Sequence, residues 1–153
     1  MARFRRINID GCSLFKTETR ILAAAAFPGT AVAINPANDQ FVAANGTTGA
    51  RGQLYVLDAA YHQGLFASDQ VPANVSAVGN YLEPGREFAV RMPAGEYTKD
   101  EPVVINASGQ FVSLPAGAGS YNVVGYVQEN DPVTLSAPDL IRIRVQFDNT
   151  TVA

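Results

Sequence analysis

Two segments about half a chain length apart carry the same pattern of residues. Val32-Ala33-Ile34-Asn35 is followed, after four residues, by Gln40-Phe41-Val42, and Val103-Val104-Ile105-Asn106 is followed, after three, by Gln110-Phe111-Val112. In each segment a β-branched pair two residues apart marks a core face, Asn begins a turn because its side chain can bond its own backbone, and Phe returns to the core. The repeat predicts two related β-hairpins.

The rest of the chain also favours strands, since apolar residues alternate with polar ones or gather in short runs bounded by Gly, Pro, Asn and Asp. The clearest alternation places Ile141, Ile143, Val145 and Phe147 on one face of a strand. Segment 21–27 is ambiguous because Ala favours helix, and we expect an extended stretch or a short helix there. The fold class predicted is all-β, a small β-barrel or β-sandwich with two related hairpins and an extended N-terminal arm.

The length and charge distribution predict a basic arm ahead of one body. A chain of 153 residues suits a single core, and we expect an arm over residues 1–20 and a single β-barrel-like domain over residues 21–153. Residues 1–20 carry a net charge of +3, whereas the whole chain carries −3. A net charge this mild does not favour nucleic-acid binding.

The residue inventory argues against catalysis, cofactors and metal sites. The chain has one cysteine, Cys12, and one histidine, His62, which is too few for a disulfide or a Cys/His zinc site. We expect Cys12 to be a small apolar filler and His62 to be structural or at an interface. Acidic pairs such as Asp100-Glu101 fit turns, and the glycine-rich segment 46–52 lacks a phosphate-loop ending. We therefore predict no enzyme activity, no catalytic or metal-binding residues and no cofactor.

Membrane insertion and secretion are also not expected. No apolar run reaches the roughly 18 to 20 residues that cross a bilayer. The stretch from Arg3 to Ala33 imitates a secretion signal, but polar residues 16–19 separate its basic and apolar parts. The Asn-X-Ser/Thr triplets are interpreted as polar turns, at Asn45, Asn74, Asn106 and Asn149.

The order of these segments resembles the capsid decoration, or cement, proteins of tailed bacteriophages. The resemblance covers most of residues 20–147 and is carried by strand pattern and turn residues. The matching stretches are Arg20 to Ile34, the two hairpins, and segments 52–57, 60–64, 83–90, 125–129 and 139–144.

The resemblance implies a structural protein without a reaction, bound in many copies to the outer surface of the major capsid lattice. It implies the major capsid protein and copies of the chain itself as partners, with trimers, or alternatively dimers, as the assembly. It also implies a virion location after synthesis in the bacterial cytoplasm. Two alternatives stay open, another virion β module from a tail or fibre, and a carbohydrate-binding domain that would need a flat row of exposed tyrosines.

The arm supplies the candidate contact residues. Three arginines that can pair with carboxylates alternate with apolar residues that can fill notches on a capsid subunit or a neighbouring decoration subunit. These residues are Arg3, Phe4, Arg5, Arg6, Ile7 and Ile9. On this hypothesis, removal of residues 1–10 abolishes capsid binding and leaves a folded β domain.

Overall fold

The computed structural model describes residues 3–9, 16–45 and 53–153. In these ranges the chain forms twelve β-strands and one short 3-10 helix, Tyr61–Gln63, with no α-helix. The predicted all-β class is confirmed. Cys12 and the glycine-rich segment 46–52 lie outside the described residues.

Five strands form a closed barrel: β1 (Thr17–Leu22), β2 (Ala31–Asn35), β3 (Gln40–Ala43), β4 (Leu54–Leu57) and β5 (Ser76–Tyr81). Their order is β1-β3-β2-β4-β5, with β5 returning to β1. Only β1 and β3 pair in parallel; the other pairs are antiparallel. Leu22, Val32, Phe41 and Leu57 fill the interior.

The barrel interior is tightly packed around two aromatic rings. Phe41 and Tyr55 meet edge to face with ring centroids 5.3 Å apart. A Cβ at Gly79 would lie 2.8 Å from the Phe41 ring and 2.9 Å from the Tyr55 Cβ, so glycine is required there. Burial raises the pKa of Tyr55 to about 12, which keeps the phenol neutral inside the barrel.

The remaining strands are β6 (Glu87–Met92), β7 (Gly95–Tyr97), β8 (Pro102–Ile105), β9 (Phe111–Ser113), β10 (Gly119–Val127), β11 (Val133–Leu135) and β12 (Asp139–Val152). Five of them form an antiparallel sheet in the order β6-β12-β10-β8-β9, and β7 and β11 form a two-stranded ribbon. The β-branched and aromatic residues of the five-stranded sheet build the larger apolar core.

The predicted final strand is confirmed, but the prediction for Phe147 is wrong. Ile141, Ile143 and Val145 are buried as expected, whereas Phe147 is 48% exposed. The register between β10 and β12 pairs Gly125 with Val145 but Val123 with Asp148, so β12 contains an extra residue at this point. Such a bulge resets the alternation of side chains and turns Phe147 out of the core.

The two predicted hairpins are confirmed: β2–β3 lies in the barrel, and β8–β9 lies in the five-stranded sheet. Asn35 Oδ1 accepts a hydrogen bond from the Ala37 N–H at 3.0 Å, and Asn106 Oδ1 accepts one from the Ser108 N–H at 2.9 Å. Both Asn side chains therefore stabilise the turns that the sequence predicts. The returning phenylalanines, Phe41 and Phe111, are fully buried.

The barrel and the sheet share packing and backbone hydrogen bonds. Ala31, Ala44 and Val56 of the barrel side belong to the apolar core of the sheet. The Ala31 N–H donates to the carbonyl of Gly109, at the tip of the β8–β9 hairpin, at 2.9 Å. The ambiguous segment 21–27 is not helical: β1 ends at Leu22, a bend follows at Ala23 and Ala24, and Ala26 bridges to Val71.

The hairpin tip gives a test of this joint. Gly109 has φ +76°, and a Cβ there would lie 2.7 Å from the Ala31 carbonyl and 3.2 Å from the Ala44 nitrogen. Gly109→Ala should lower the free energy of unfolding by about 3 kcal/mol, from a left-handed backbone and overpacking together. Gly64→Ala is the matched control, since Gly64 has φ +74° and an added Cβ would meet nothing within 4 Å. It should cost about 1 kcal/mol. Urea denaturation measures both, and equal losses would contradict a tight joint.

Candidate functional site

The described part of the arm lies along the free edge of β6. The Ala89 N–H donates to the Ile7 carbonyl at 2.7 Å, and the Ile9 N–H donates to the Glu87 carbonyl at 3.3 Å. These two bonds enclose a bridge between Asn8 and Phe88. Because β6 pairs with β12 on its other side, the arm covers an edge that would otherwise present unpaired backbone groups.

The apolar residues of the arm pack on the chain's own core. Ile7 is fully buried, and Phe4 and Ile9 are partly buried against the same cluster. The sequence assigned these three side chains to notches on another subunit, and that role stays a prediction. Within the chain, Ile7 anchors the arm as a core residue.

Arg3 fastens the start of the arm to Glu129, which follows β10, and to Leu140 of β12, the strand that pairs with β6. Its guanidinium pairs with Glu129, with Nη1 to Oε1 at 3.1 Å and Nη2 to Oε2 at 3.4 Å, and Nη1 also donates to the Leu140 carbonyl at 3.1 Å. Glu129 is buried and accepts a further bond from the Arg142 N–H at 2.8 Å. Arg3 thereby supplies the countercharge that a buried carboxylate requires.

Arg5 and Arg6 are exposed, and they stand beside exposed aromatic side chains. The Tyr61 hydroxyl donates to the Arg5 carbonyl at 2.6 Å, which ties the arm to the 3-10 helix. Tyr61 is 45% exposed and Phe66 is 64% exposed, the largest exposed fraction among the large hydrophobic residues of the described ranges. We call the set Arg5, Arg6, Tyr61 and Phe66 the basic aromatic surface.

A pocket of about 720 Å³ lies within the basic aromatic surface. All four members line it, together with Asp58. Burial raises the pKa of Asp58, although its carboxylate accepts bonds from the Asn80 side chain at 3.1 Å and the Ala59 N–H at 2.8 Å. The pocket therefore combines a cationic rim, an apolar wall and an acidic group held within the fold.

The sequence identified the arginines of this surface but missed its aromatic residues. No sequence pattern assigned Tyr61 or Phe66 to a binding surface. The sequence does contain a signal for this surface, since two large aromatic residues lie within six positions, one on each side of Gly64. A short segment interrupted by glycine cannot bury both side chains. His62 is exposed and lies 3.1 Å from the Gln63 side-chain nitrogen.

Metal-binding clusters are absent from residues 3–9, 16–45 and 53–153, where no three His, Cys, Asp or Glu side chains group together. Asp100 and Glu101 form the turn expected of them, since Asp100 has φ +63° and Glu101 Oε2 accepts a bond from the Thr98 N–H. In the same ranges, no helix is long and apolar enough to span a membrane.

Docking of the arm can be tested with two isoleucines. Ile7→Ala should lower the free energy of unfolding by about 3 kcal/mol, because it leaves a cavity at a fully buried site. Ile9→Ala is the matched control and should cost about 1 kcal/mol, since Ile9 is only partly buried. Urea unfolding followed by circular dichroism compares them. If Ile7→Ala costs no more than Ile9→Ala, the arm is not part of the core.

The sequence was also compared with known proteins. No curated protein matches it. Residues 3–145 match the family model described as XM1 gp53 minor capsid protein, which covers nearly the whole chain, including the arm from Arg3 onward and the basic aromatic surface. The chain belongs to the XM1 gp53 minor capsid protein family, and its role is that of a structural, capsid-associated protein of a bacteriophage virion.

Proposed function

We propose that this protein decorates the outer surface of the assembled head, binding the major capsid protein through the basic aromatic surface. The observation that carries this proposal is the placement of two exposed arginines beside Phe66, which is 64% exposed. Exposed aromatic and arginine side chains are typical of the residues that dominate protein interfaces. Family membership supports a capsid partner.

Charge complementarity indicates the chemistry of that partner. Residues 1–20 hold a net charge of +3, and the rest of the chain holds −6. The partner surface would therefore carry acidic side chains that face Arg5 and Arg6. These would surround an apolar side chain that fits the pocket of the basic aromatic surface. We assign this surface to the major capsid protein, and binding to the acidic body of a second copy is the alternative outcome of the tests below.

A decoration protein stabilises a shell by binding the assembled lattice more tightly than its separated subunits. At a free concentration about 100 times the dissociation constant, each occupied site contributes about 2.7 kcal/mol to the assembled state. Contact with two capsid subunits at once would add the gain of effective concentration. No chemical reaction is needed for this role, and we propose that the protein is not an enzyme.

Self-association is a further part of the proposal. The resemblance to decoration proteins supports trimers, or alternatively dimers, on the lattice. The carbohydrate-binding alternative has less support, because Tyr61 is the single tyrosine among the exposed large hydrophobic residues of the described ranges. A flat row of tyrosines is thus not formed there.

Charge reversal tests the basic part of the surface. The double variant Arg5→Glu/Arg6→Glu should reduce affinity for undecorated heads about 100-fold or more, because each reversal replaces an attraction by a repulsion. Lys99→Glu, at another exposed cation, is the matched control and should change affinity less than twofold. Co-sedimentation with purified heads measures occupancy. This test is sharper than deleting residues 1–10, which would also remove the core residue Ile7.

Undiminished binding of the double variant would place the docking surface elsewhere. Failure of the wild-type chain to bind intact, closed heads would overturn the decoration role itself. If only oligomer formation, measured by sedimentation velocity, responds to the reversal, the surface binds a second copy.

Phe66 tests the apolar part. Phe66→Ser should weaken head binding about tenfold or more, because the side chain would lose the burial that docking provides. Phe147→Ser is the control, since Phe147 is 48% exposed and lines a different groove of about 790 Å³. It should bind as the wild type does. Equal losses from both substitutions would contradict a localised surface.

A further inference from the structure

Two buried polar side chains at the joint of the arm and β6 make no hydrogen bonds to the described residues. Arg86 is 6% exposed and Asn8 is 8% exposed. Nε and both Nη atoms of Arg86 have no hydrogen-bond partner, and neither do Oδ1 and Nδ2 of Asn8. Buried polar atoms normally have partners, because an unsatisfied group has lost its hydration without gaining a hydrogen bond, and a charged group loses more than a neutral one.

Both side chains lie beside Phe88. Asn8 and Phe88 form a non-hydrogen-bonded antiparallel pair. In this type of pair the two side chains are on the same face and lie closest together. The Arg86 guanidinium carbon is 5.3 Å from the centroid of the Phe88 ring. The amide and the guanidinium, which belongs to the residue just before β6, therefore both lie near the same aromatic ring.

The charge of Arg86 is only partly balanced by the protein. The nearest carboxylate in the described ranges is that of Glu83, with Oε2 at 3.8 Å from Nη1. The other oxygen of the same carboxylate accepts a bond from Lys16 Nζ at 2.8 Å. One carboxylate thus faces two cations, which leaves a local excess of positive charge.

Arg91 shows how this fold satisfies a comparable guanidinium. Its guanidinium carbon lies 4.9 Å from the Phe27 ring centroid, and its nitrogens donate to three backbone carbonyls. Those carbonyls belong to Pro28 at 3.0 Å, Ala67 at 2.8 Å and Pro138 at 3.3 Å. Arg86 has the same kind of aromatic neighbour without any of these acceptors.

We propose that Arg86 and Asn8 bind a small inorganic anion of the chloride class, which fastens the arm to β6. The guanidinium N–H groups and Asn8 Nδ2 are donors that can converge on an anion beside Phe88. The burial of both side chains favours a monatomic anion over a carboxylate carried on another chain. Asn8 also lines the docking pocket described above, but Arg86 does not, so the chloride response of an Arg86 variant tests this site separately from the docking role.

The test is thermal unfolding of the full chain at constant ionic strength, with sodium gluconate replaced stepwise by sodium chloride. The wild-type Tm should rise saturably, by about 4 °C at ten times the midpoint concentration. Arg86→Met should abolish the rise, and Asn8→Leu should shift the midpoint about tenfold upward. Arg91→Met is the matched control: its Tm should fall, but its chloride response should equal that of the wild type.

A crystal grown in sodium bromide gives a second, direct readout. Anomalous scattering should place one bromide within hydrogen-bond distance of Arg86 Nη and Asn8 Nδ2. Any of three results would overturn the proposal: a wild-type Tm that does not change with chloride, a chloride-dependent rise in the Tm of Arg86→Met equal to that of the wild type, or no bromide at this position. If Arg86→Met does not fold, Asn8→Leu and the bromide position decide.

Discussion

Packing of the five-stranded sheet against the barrel is the contact on which the rest of the molecule depends. The apolar cluster of the sheet includes Ala31, Ala44 and Val56 from the barrel side, so the sheet does not complete its core without the barrel. Small residues at two of these positions allow the β8–β9 hairpin to approach until the Gly109 carbonyl meets the Ala31 N–H. At the opposite edge of the sheet, the Arg91 N–H donates to the Gly29 carbonyl at 2.9 Å, which ties β6 to the segment before β2, and β6 in turn positions the arm.

This framework also fixes the arm in place. Ile7 in the core, the backbone bonds to β6 and the Arg3–Glu129 pair hold the segment on both sides of Arg5 and Arg6. An exposed side chain on a fixed backbone loses less conformational freedom on binding than one on a free tail. The structure therefore presents the two arginines as part of a preformed surface.

The features that the sequence predicted are those set by neighbours in the chain. The hairpins around Asn35 and Asn106 follow from turn residues and alternation within about a dozen positions, and both are confirmed. The exposure of the Phe147 side chain could not be predicted from the sequence, because the bulge in β12 that causes it depends on the register of β12 with β10.

Residues far apart in the chain account for what the sequence missed in the candidate site. Composition and charge singled out Arg5 and Arg6, but their neighbours come from the segment of Tyr61 and Phe66. The pairing of Arg3 with Glu129 joins residues 126 positions apart, which no local pattern encodes. Long-range pairings of this kind are set by topology and by the shared core.

The order in which the ribosome makes these strands has a consequence for the arm. Residues 3–9 are synthesised early, yet their partners are β6, Glu129 and Leu140, the last of which belongs to the final strand. The arm can therefore settle only after nearly the whole chain has emerged. A truncated translation product would lack the arranged arginines, so the preformed surface is a property of the folded chain alone.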